Sequence, residues 1–512
     1  MTLAADAKRT GLHVRPARCF AGIDEEGKRR VVFGQMNNEK NKKILYVIYI
    51  AAVLILAVFP FAGMSVAATD ETTENKELAE FPNLKEEGKW NVDYLSDLGG
   101  YFEDHFAFRQ ELVAANALLR GKVLGASASD QVVVGKNGWL YYGGTLNDYF
   151  GEKQMTARGL ANGVYNISLM QEYIEGKGSK FVLTIAPNKN SVYSDDMPWN
   201  YLQGTENNYS RIIPILREKG IHFVELSEMF RASKEPLYLQ EDSHWNNKGA
   251  VLVCRRLMDA LGHPYDISWI SSFEVRKDHI GDLSNMLYSV AAQPEDNIYY
   301  DQPRIYAYVN DVKSVEDDWI ETINPNGQGS VLMFRDSFGN SLLPFLANEF
   351  ERGYFSRLVP YNLGNLEEYH VEYVVVERVE RRTSFFAEQP PVMEGPVRKL
   401  DHLTAMATDT TVSVNPDGSW YVVEGILDSD FIGDDTKVYV SVRTDSGGSM
   451  TYEAFHTSAA EEDGWNDYGY KLYLKETSVP KGTVYMDIIL AEGDTQVLVK
   501  TQEVTIKEEG TQ

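Results

Sequence analysis

The stretch Ser330-Val331-Leu332-Met333-Phe334-Arg335-Asp336-Ser337-Phe338-Gly339 decides the fold. Ser330–Phe334 reads as an apolar strand, and Gly339–Phe350 beyond the charged turn reads as a helix. The same texture recurs outward from it. The patterns predict helices near Leu160–Gly176, over Tyr209–Lys219 and over Asn247–Leu261. They predict strands at Phe181–Pro187, His222–Leu226 and Tyr373–Glu377. Strands that alternate with crossover helices imply an α/β/α domain, a parallel sheet with helices on both faces.

The chain has 512 residues, too many for one ordinary core, so two or three domains are expected. A hydrophobic content of 43% with 12% aromatics is that of a globular protein. The net charge of −26 argues against DNA or anionic lipid as a partner. That charge is unevenly placed: residues 1–43 carry ten Lys/Arg against five Asp/Glu.

Ile44–Met64 then runs without a charged residue and is long enough to span a bilayer as a transmembrane anchor. Lys40, Lys42 and Lys43 precede it, and the positive-inside rule puts 1–43 in the cytoplasm. The expectation is a single-pass cell-membrane protein with everything after residue 64 outside the cytoplasm. A cleaved signal peptide ending near Ser65-Val66-Ala67 is the alternative, but its apolar core is usually shorter. Met36, followed by NNEKNKK, offers a second start. Cys19 and Cys254 would lie on opposite sides of the membrane, which leaves no disulfide and no cysteine metal site.

Residues 65–80 are polar and acidic and read as a linker. A helical block follows from Phe81 to Gly125, then a hairpin signal at Val132-Val133-Val134 and Trp139-Leu140-Tyr141-Tyr142. After about residue 400 short alternating strands separated by turn clusters, such as Asn415-Pro416-Asp417-Gly418, predict a small antiparallel β-sandwich. Trp420, Tyr421, Trp465, Tyr468, Tyr470 and Tyr473 are its candidates for stacking on sugars, although alternating aromatics more often fill a core.

Two motifs carry chemistry. Ser337 sits where a strand runs into a helix, at the carboxyl edge of the sheet where open α/β folds place their sites. Backbone N–H groups at that helix start can face an oxyanion, and Gly339 permits a tight turn. Asp242-Ser243-His244-Trp245 supplies an imidazole and, two residues before it, a carboxylate on the same side of an extended segment. Hydroxyl, imidazole and carboxylate are the three groups of acyl transfer. Helix capping by Asp336, Ser337, Ser243 or Asn246 is the competing explanation of both motifs. A metal held by Asp242, His244 and Asp336 is less favoured, because no second His stands near either motif. His105, within Asp104-His105-Phe106, reads as structural.

Asp242-Ser243-His244-Trp245 resembles the signature of the DHHW proteins and the AlgX/AlgJ-like alginate O-acetyltransferase group of the SGNH-hydrolase-like superfamily. Glu80-Phe81-Pro82-Asn83-Leu84 and Tyr101-Phe102-Glu103-Asp104-His105-Phe106-Ala107-Phe108-Arg109 are similar to that family's N-terminal block. So are Val132-Val133-Val134-Gly135-Lys136-Asn137-Gly138-Trp139-Leu140-Tyr141 and Ala186-Pro187-Asn188-Lys189. Arg335-Asp336-Ser337-Phe338-Gly339-Asn340 resembles the nucleophile block, with Arg335 where the family's Gly-Asp-Ser has Gly. The resemblance runs from Phe81 to Phe386.

It implies an SGNH-like acyltransferase domain over 81–398, to which the strand pattern adds a β-sandwich over 399–512 as a candidate carbohydrate-binding domain. It implies Ser337 as nucleophile, His244 as base and Asp242 as orienting acid, with no cofactor. Asn340, Arg335 and Lys189 are candidates for substrate or oxyanion contacts, with a surface ion pair as the alternative for the two cations. The implied reaction is acetyl transfer to an exopolysaccharide or cell-wall glycan, with a membrane-bound O-acyltransferase as the donor partner. A glycan O-acetyl esterase would use the same residues with water as acceptor. A polysaccharide-binding adaptor with an inert site, in which Arg335 crowds the turn, is the third expectation.

Overall fold

The structure, a computed structural model, describes residues 22–23, 29–30, 38–64, 79–86, 88–400, 403–433, 435–462 and 464–506. Most of 1–43, Cys19 with it, and most of the linker 65–80 lie outside the described residues. The chain divides into two compact units, Met1–Gln110 and Glu111–Gln512.

In the first unit the apolar run lies in the helix Asn38–Gly63. Among the described residues, however, no helix is long and apolar enough to cross a membrane. The expected N-terminal transmembrane helix is corrected on that ground. His105 is structural, as expected: its Nδ1 lies 2.9 Å from the Tyr101 carbonyl and its ring stacks on Tyr101.

The second unit is built on a seven-stranded sheet. Its strands are β1 (Lys180–Ala186), β2 (Phe223–Val224), β3 (Ala307–Tyr308), β4 (Trp319–Ile323), β5 (Ser330–Phe334), β6 (Arg352–Ser356) and β7 (Tyr373–Val379). Their spatial order is β3-β4-β6-β5-β7-β1-β2. The five strands from β6 to β2 are parallel.

β4 runs antiparallel to β6, and β3 antiparallel to β4. The sheet is therefore mixed, and the expectation of a parallel sheet is corrected at this edge. The reason is length. Only residues 324–329 join β4 to β5, far fewer than the dozen or so that a parallel crossover needs.

β5 lies at the centre and is buried along its whole length. Val331 and Met333 face one layer with Val182, Val375 and Val379, while Leu332 and Phe334 face the other with Leu183, Val374 and Val376. The first layer is closed by the helices Asn247–Leu261 and Leu343–Glu349. The second is closed by Ala157–Gly176 and Asn208–Glu218. A strand with two buried faces shows no alternation, which is why β1, β5 and β7 read as apolar runs.

Beyond residue 396 a six-stranded and a four-stranded sheet share one apolar cluster, formed by residues such as Val423, Leu472, Val440 and Ile488. They pack against the helix Ala157–Gly176. Asn166 Nδ2 donates to the His456 carbonyl at 2.8 Å, and Asn162 Nδ2 to the Asp467 carbonyl at 3.0 Å. Tyr470 and Tyr473 are core residues here and have no face free for a sugar.

Candidate active site

Ser337 opens the 3-10 turn Ser337–Ser341 directly beyond β5, at the carboxyl edge of the sheet. Asp336 fixes that turn. Its Oδ1 accepts from Phe338 N at 3.0 Å and its Oδ2 from Val379 N at 2.8 Å, tying β5 to the end of β7. Capping is thus the role of Asp336, and it sets the position of Ser337 rather than competing with it.

His244 arrives from a different element. Trp245 bridges to Tyr238, and Leu239 N and Asn246 N close the loop on His244 O and Leu237 O. Asn246 then caps the helix Asn247–Leu261 through Gly249 N. An extended segment would set the Asp242 side chain on the same side as His244. The structure instead puts it at the tip of this loop, with Oδ1 accepting from both His244 N and His244 Nδ1 at 2.8 Å. The side chain folds over its own backbone two residues on, the habit of an Asx turn. The same short loop therefore holds base and acid together without help from strand alternation.

On its other side His244 Nε2 lies 2.9 Å from Ser337 Oγ. Ser337, His244 and Asp242 form one hydrogen-bonded chain, with His244 and Ser337 93 residues apart in sequence. The network assigns the Nδ1–H to Asp242 and leaves Nε2 to accept the serine proton. Trp245 Nε1 donates to Ser341 Oγ at 2.5 Å and Phe338 packs 4.8 Å from the imidazole, so both motifs are locked to each other.

Two residues of this site escaped the sequence reading. His279, at the end of the strand Phe273–His279, donates from Nε2 to Asp242 Oδ2 at 2.9 Å. Asp282 N donates to the same oxygen at 3.1 Å, while the Asp282 carboxylate accepts from Ser243 N and Ser243 Oγ. Asp242 thus accepts four hydrogen bonds while only 4% exposed. No local pattern announces either residue; a histidine count of nine was the only available signal.

The electrostatics follow from these contacts. Burial raises the Asp242 carboxyl, but hydrogen bonds from His244 and His279 outweigh it and hold the carboxyl well below its usual range. Burial lowers His244, and the bond to Asp242 more than reverses that, so the imidazole is raised. His279 is raised chiefly by its bond to Asp242. Asp282 is pushed up by burial and by the neighbouring Asp242 charge.

The remaining sequence candidates are engaged elsewhere. Lys189 is 4% exposed, and its Nζ donates to the carbonyls of Leu140, Gln240 and Asp242 at 2.7–2.8 Å. All three of its donors are spent on holding the Asp242 loop against the hairpin strand Leu140–Tyr142. Burial lowers its pKa, against the pull of Glu295 and Asp242.

Arg335 is fully buried and donates to Asn340 Oδ1 and to the carbonyls of Val315 and Asp317. Asn340 Nδ2 is turned to Glu316. Gly339 explains how an arginine fits at 335. A Cβ at 339 would stand 2.6 Å from Arg335 Cβ and 2.9 Å from Arg335 Cδ. Arg335 Nε is buried without a hydrogen-bond partner.

Asp242, His244 and Asp282 also bring possible metal-ligating atoms within 4.8 Å of one another. His244 Nδ1 and the Asp282 carboxylate are committed to the hydrogen bonds above, and Asp336, the third ligand weighed from the sequence, serves the turn. The donor set suits the hydrogen-bonded chain better than an ion.

The site sets a serine, a histidine and an aspartate in one hydrogen-bonded chain at the carboxyl edge of a mixed α/β sheet. Residues 132–342 match the family model described as SGNH hydrolase-like domain, acetyltransferase AlgX, which bears out the resemblance read from the sequence. A curated relative is the probable alginate O-acetylase AlgJ of Pseudomonas syringae pv. tomato, 26% identical over 230 residues. The match covers 43% of this chain and 53% of that protein, so the chain spans about half the length of its relative.

Similar solved structures include PatB1 of Bacillus cereus, with a TM-score of 0.41 and 16% identity over 49% of this chain and 96% of that one. A DHHW family protein from Eubacterium siraeum gives 0.37 and 16% over 50% and 97%. The O-acetyltransferase domain of Pseudomonas putida AlgJ gives 0.34 and 18% over 49% and 92%.

Proposed function

We propose that this protein is an O-acetyltransferase that works through an acyl-enzyme on Ser337. The observation that carries the reading is the continuous chain Ser337 Oγ–His244 Nε2, His244 Nδ1–Asp242 Oδ1, at 2.9 and 2.8 Å. His244 takes the proton of Ser337 as Oγ attacks the acetyl carbonyl carbon. The tetrahedral adduct collapses, the leaving group departs with that proton, and Ser337 is acetylated. A glycan hydroxyl then attacks, its proton passing to His244 and on to Ser337 as the ester bond breaks. Asp242 fixes the imidazole tautomer and supports its charged form.

The names of the matched family and of the relative, an acetyltransferase and an O-acetylase, support acetyl as the acyl group. The acceptor is a hydroxyl-bearing polysaccharide of the cell envelope, and the reaction runs outside the cytoplasm. A membrane-bound O-acyltransferase supplies the acetyl group.

The test is an acyl-transfer assay with an aryl acetate donor, with and without envelope glycans, beside Ser337→Ala and His244→Ala. Acetylated glycan formed by the wild type and lost in both variants supports the proposal. Acetate release without acetylated glycan turns it into an esterase. Equal behaviour of all three proteins overturns the serine chemistry.

A further inference from the structure

Building on that reading, a gap remains at the oxyanion. Acyl transfer places negative charge on the carbonyl oxygen, and something must face it. Most donors that the sequence offered are committed: Phe338 N and Gly339 N to Asp336, Lys189 to three carbonyls, and Arg335 to Asn340 and two carbonyls, with only its buried Nε left without a partner. Among the described residues, Arg381 is a further cation at this edge of the sheet, and its charge acts on His244. Arg381 follows β7 in the 3-10 turn Glu380–Arg382 and stays partly exposed. Its guanidinium lies 5.3 Å from the Tyr142 ring and 5.8 Å from the ring of Phe338, the residue next to Ser337.

The turn that presents Arg381 is held firmly. Glu380 is buried and accepts from Asn188 N, Ser191 Oγ and Asn207 Nδ2. Val379 N is fixed by Asp336, the same side chain that fixes the Ser337 turn. Arg381 and Ser337 are therefore positioned by one carboxylate. The charge of Arg381 also reaches His244, whose proton affinity it lowers. Aromatic faces lie on two sides of the planar fork, and its charge also acts on the largely buried Asp148 carboxyl, which burial raises to about 6.

We infer that Arg381 is the cationic donor that faces the oxyanion of the tetrahedral intermediate on Ser337. As Oγ bonds to the carbonyl carbon, the C=O π pair moves onto oxygen beside the guanidinium. When the intermediate collapses the pair returns and the leaving group departs. No proton is exchanged with Arg381.

The experiment measures aryl acetate turnover by the full chain as a function of pH for wild type, Arg381→Met, Arg381→Lys and Ser337→Ala. Loss of one oxyanion donor reduces kcat by roughly 10²–10³-fold with little change in KM, and Arg381→Lys retains part of the rate. The acid limb of kcat/KM supplies a readout that a merely structural role would not move. Asp242, Asp282 and Arg381 are the charged groups acting on His244, with His279 on the far side of Asp242. Removing the one cation leaves the two acids unopposed, so the limb moves to higher pH in Arg381→Met and stays in Arg381→Lys. Turnover within threefold of wild type in Arg381→Met, or an unmoved limb in a folded variant, overturns the inference while Ser337→Ala remains inactive. Activity retained in Ser337→Ala would instead overturn the serine reading on which it rests.

Discussion

Asp242→Asn is the perturbation on which the site's electrostatics bear most heavily. Asp242 accepts four hydrogen bonds, from His244 N, His244 Nδ1, His279 Nε2 and Asp282 N. A hydrogen bond to a charged acceptor contributes about 1 kcal/mol more than one to a neutral acceptor. Neutralising the carboxyl weakens four such bonds, ~4 kcal/mol as an upper figure, because a neutral amide is cheaper to bury. If the amide oxygen keeps His244, its NH₂ faces the donating Asp282 N and His279, an added conflict of about 1–3 kcal/mol.

The pH dependence has a definite sign. The Asp242 carboxyl is lowered in the folded state. Its contribution is present above the unfolded value of about 4 and lost as pH falls through the folded value. His244 and His279 are raised. Theirs is present below about 6.5 and lost as pH rises through the folded values. The stability gap between wild type and Asp242→Asn is therefore widest between about pH 4 and 6.5 and narrows on either side. Urea unfolding at several pH values measures it. Turnover falls by roughly 10⁴-fold, as when the orienting acid of a serine triad loses its charge. A variant within tenfold of wild-type turnover, or a stability gap independent of pH, would refute the reasoning.

Further outcomes follow from the supports of the site. Gly339→Ala puts a Cβ 2.6 Å from Arg335 Cβ, so the Ser337 turn shifts and turnover drops by roughly 10²-fold; adding Arg335→Gly restores much of it, which a double-mutant cycle reads. Lys189→Met leaves three carbonyls without their donor and frees the Asp242 loop, lowering stability by about 2–4 kcal/mol in urea unfolding. His279→Ala, which keeps the Asp242–His244 bond but removes one ligand of Asp242 Oδ2, lowers kcat about tenfold with KM unchanged.

What the sequence showed, and what it hid, follows the physics of burial. β1, β5 and β7 are central strands with two buried faces, and their unbroken apolar runs stood out. β4 reads Trp-Ile-Glu-Thr-Ile and β6 reads Arg-Gly-Tyr-Phe-Ser, patterns weak enough that the antiparallel edge went unseen. The apolar run at 44–64 suggested a membrane span because hydropathy is read along the sequence alone, whereas among the described residues no helix is long and apolar enough to cross a membrane.

In the site, Asp242 and His244 could be paired because they lie two residues apart, and Ser337 because a strand leads into it. His279 and Asp282 reach Asp242 from 37 and 40 residues away, a distance that no local pattern encodes. Lys189 and Arg335 were visible as motif residues, but their lining of carbonyl partners was not. A lone cation in a sequence looks the same whether it awaits a substrate or secures a loop.

The most direct test of the central claim is to trap the covalent intermediate. The full chain is mixed with an aryl acetate, quenched within one turnover, digested and read by mass spectrometry. The account predicts acetylation on the peptide that carries Ser337, absent from Ser337→Ala and strongly reduced in His244→Ala. A wild-type protein that turns over the donor with no acetyl on Ser337, or an adduct that persists in Ser337→Ala, would contradict it.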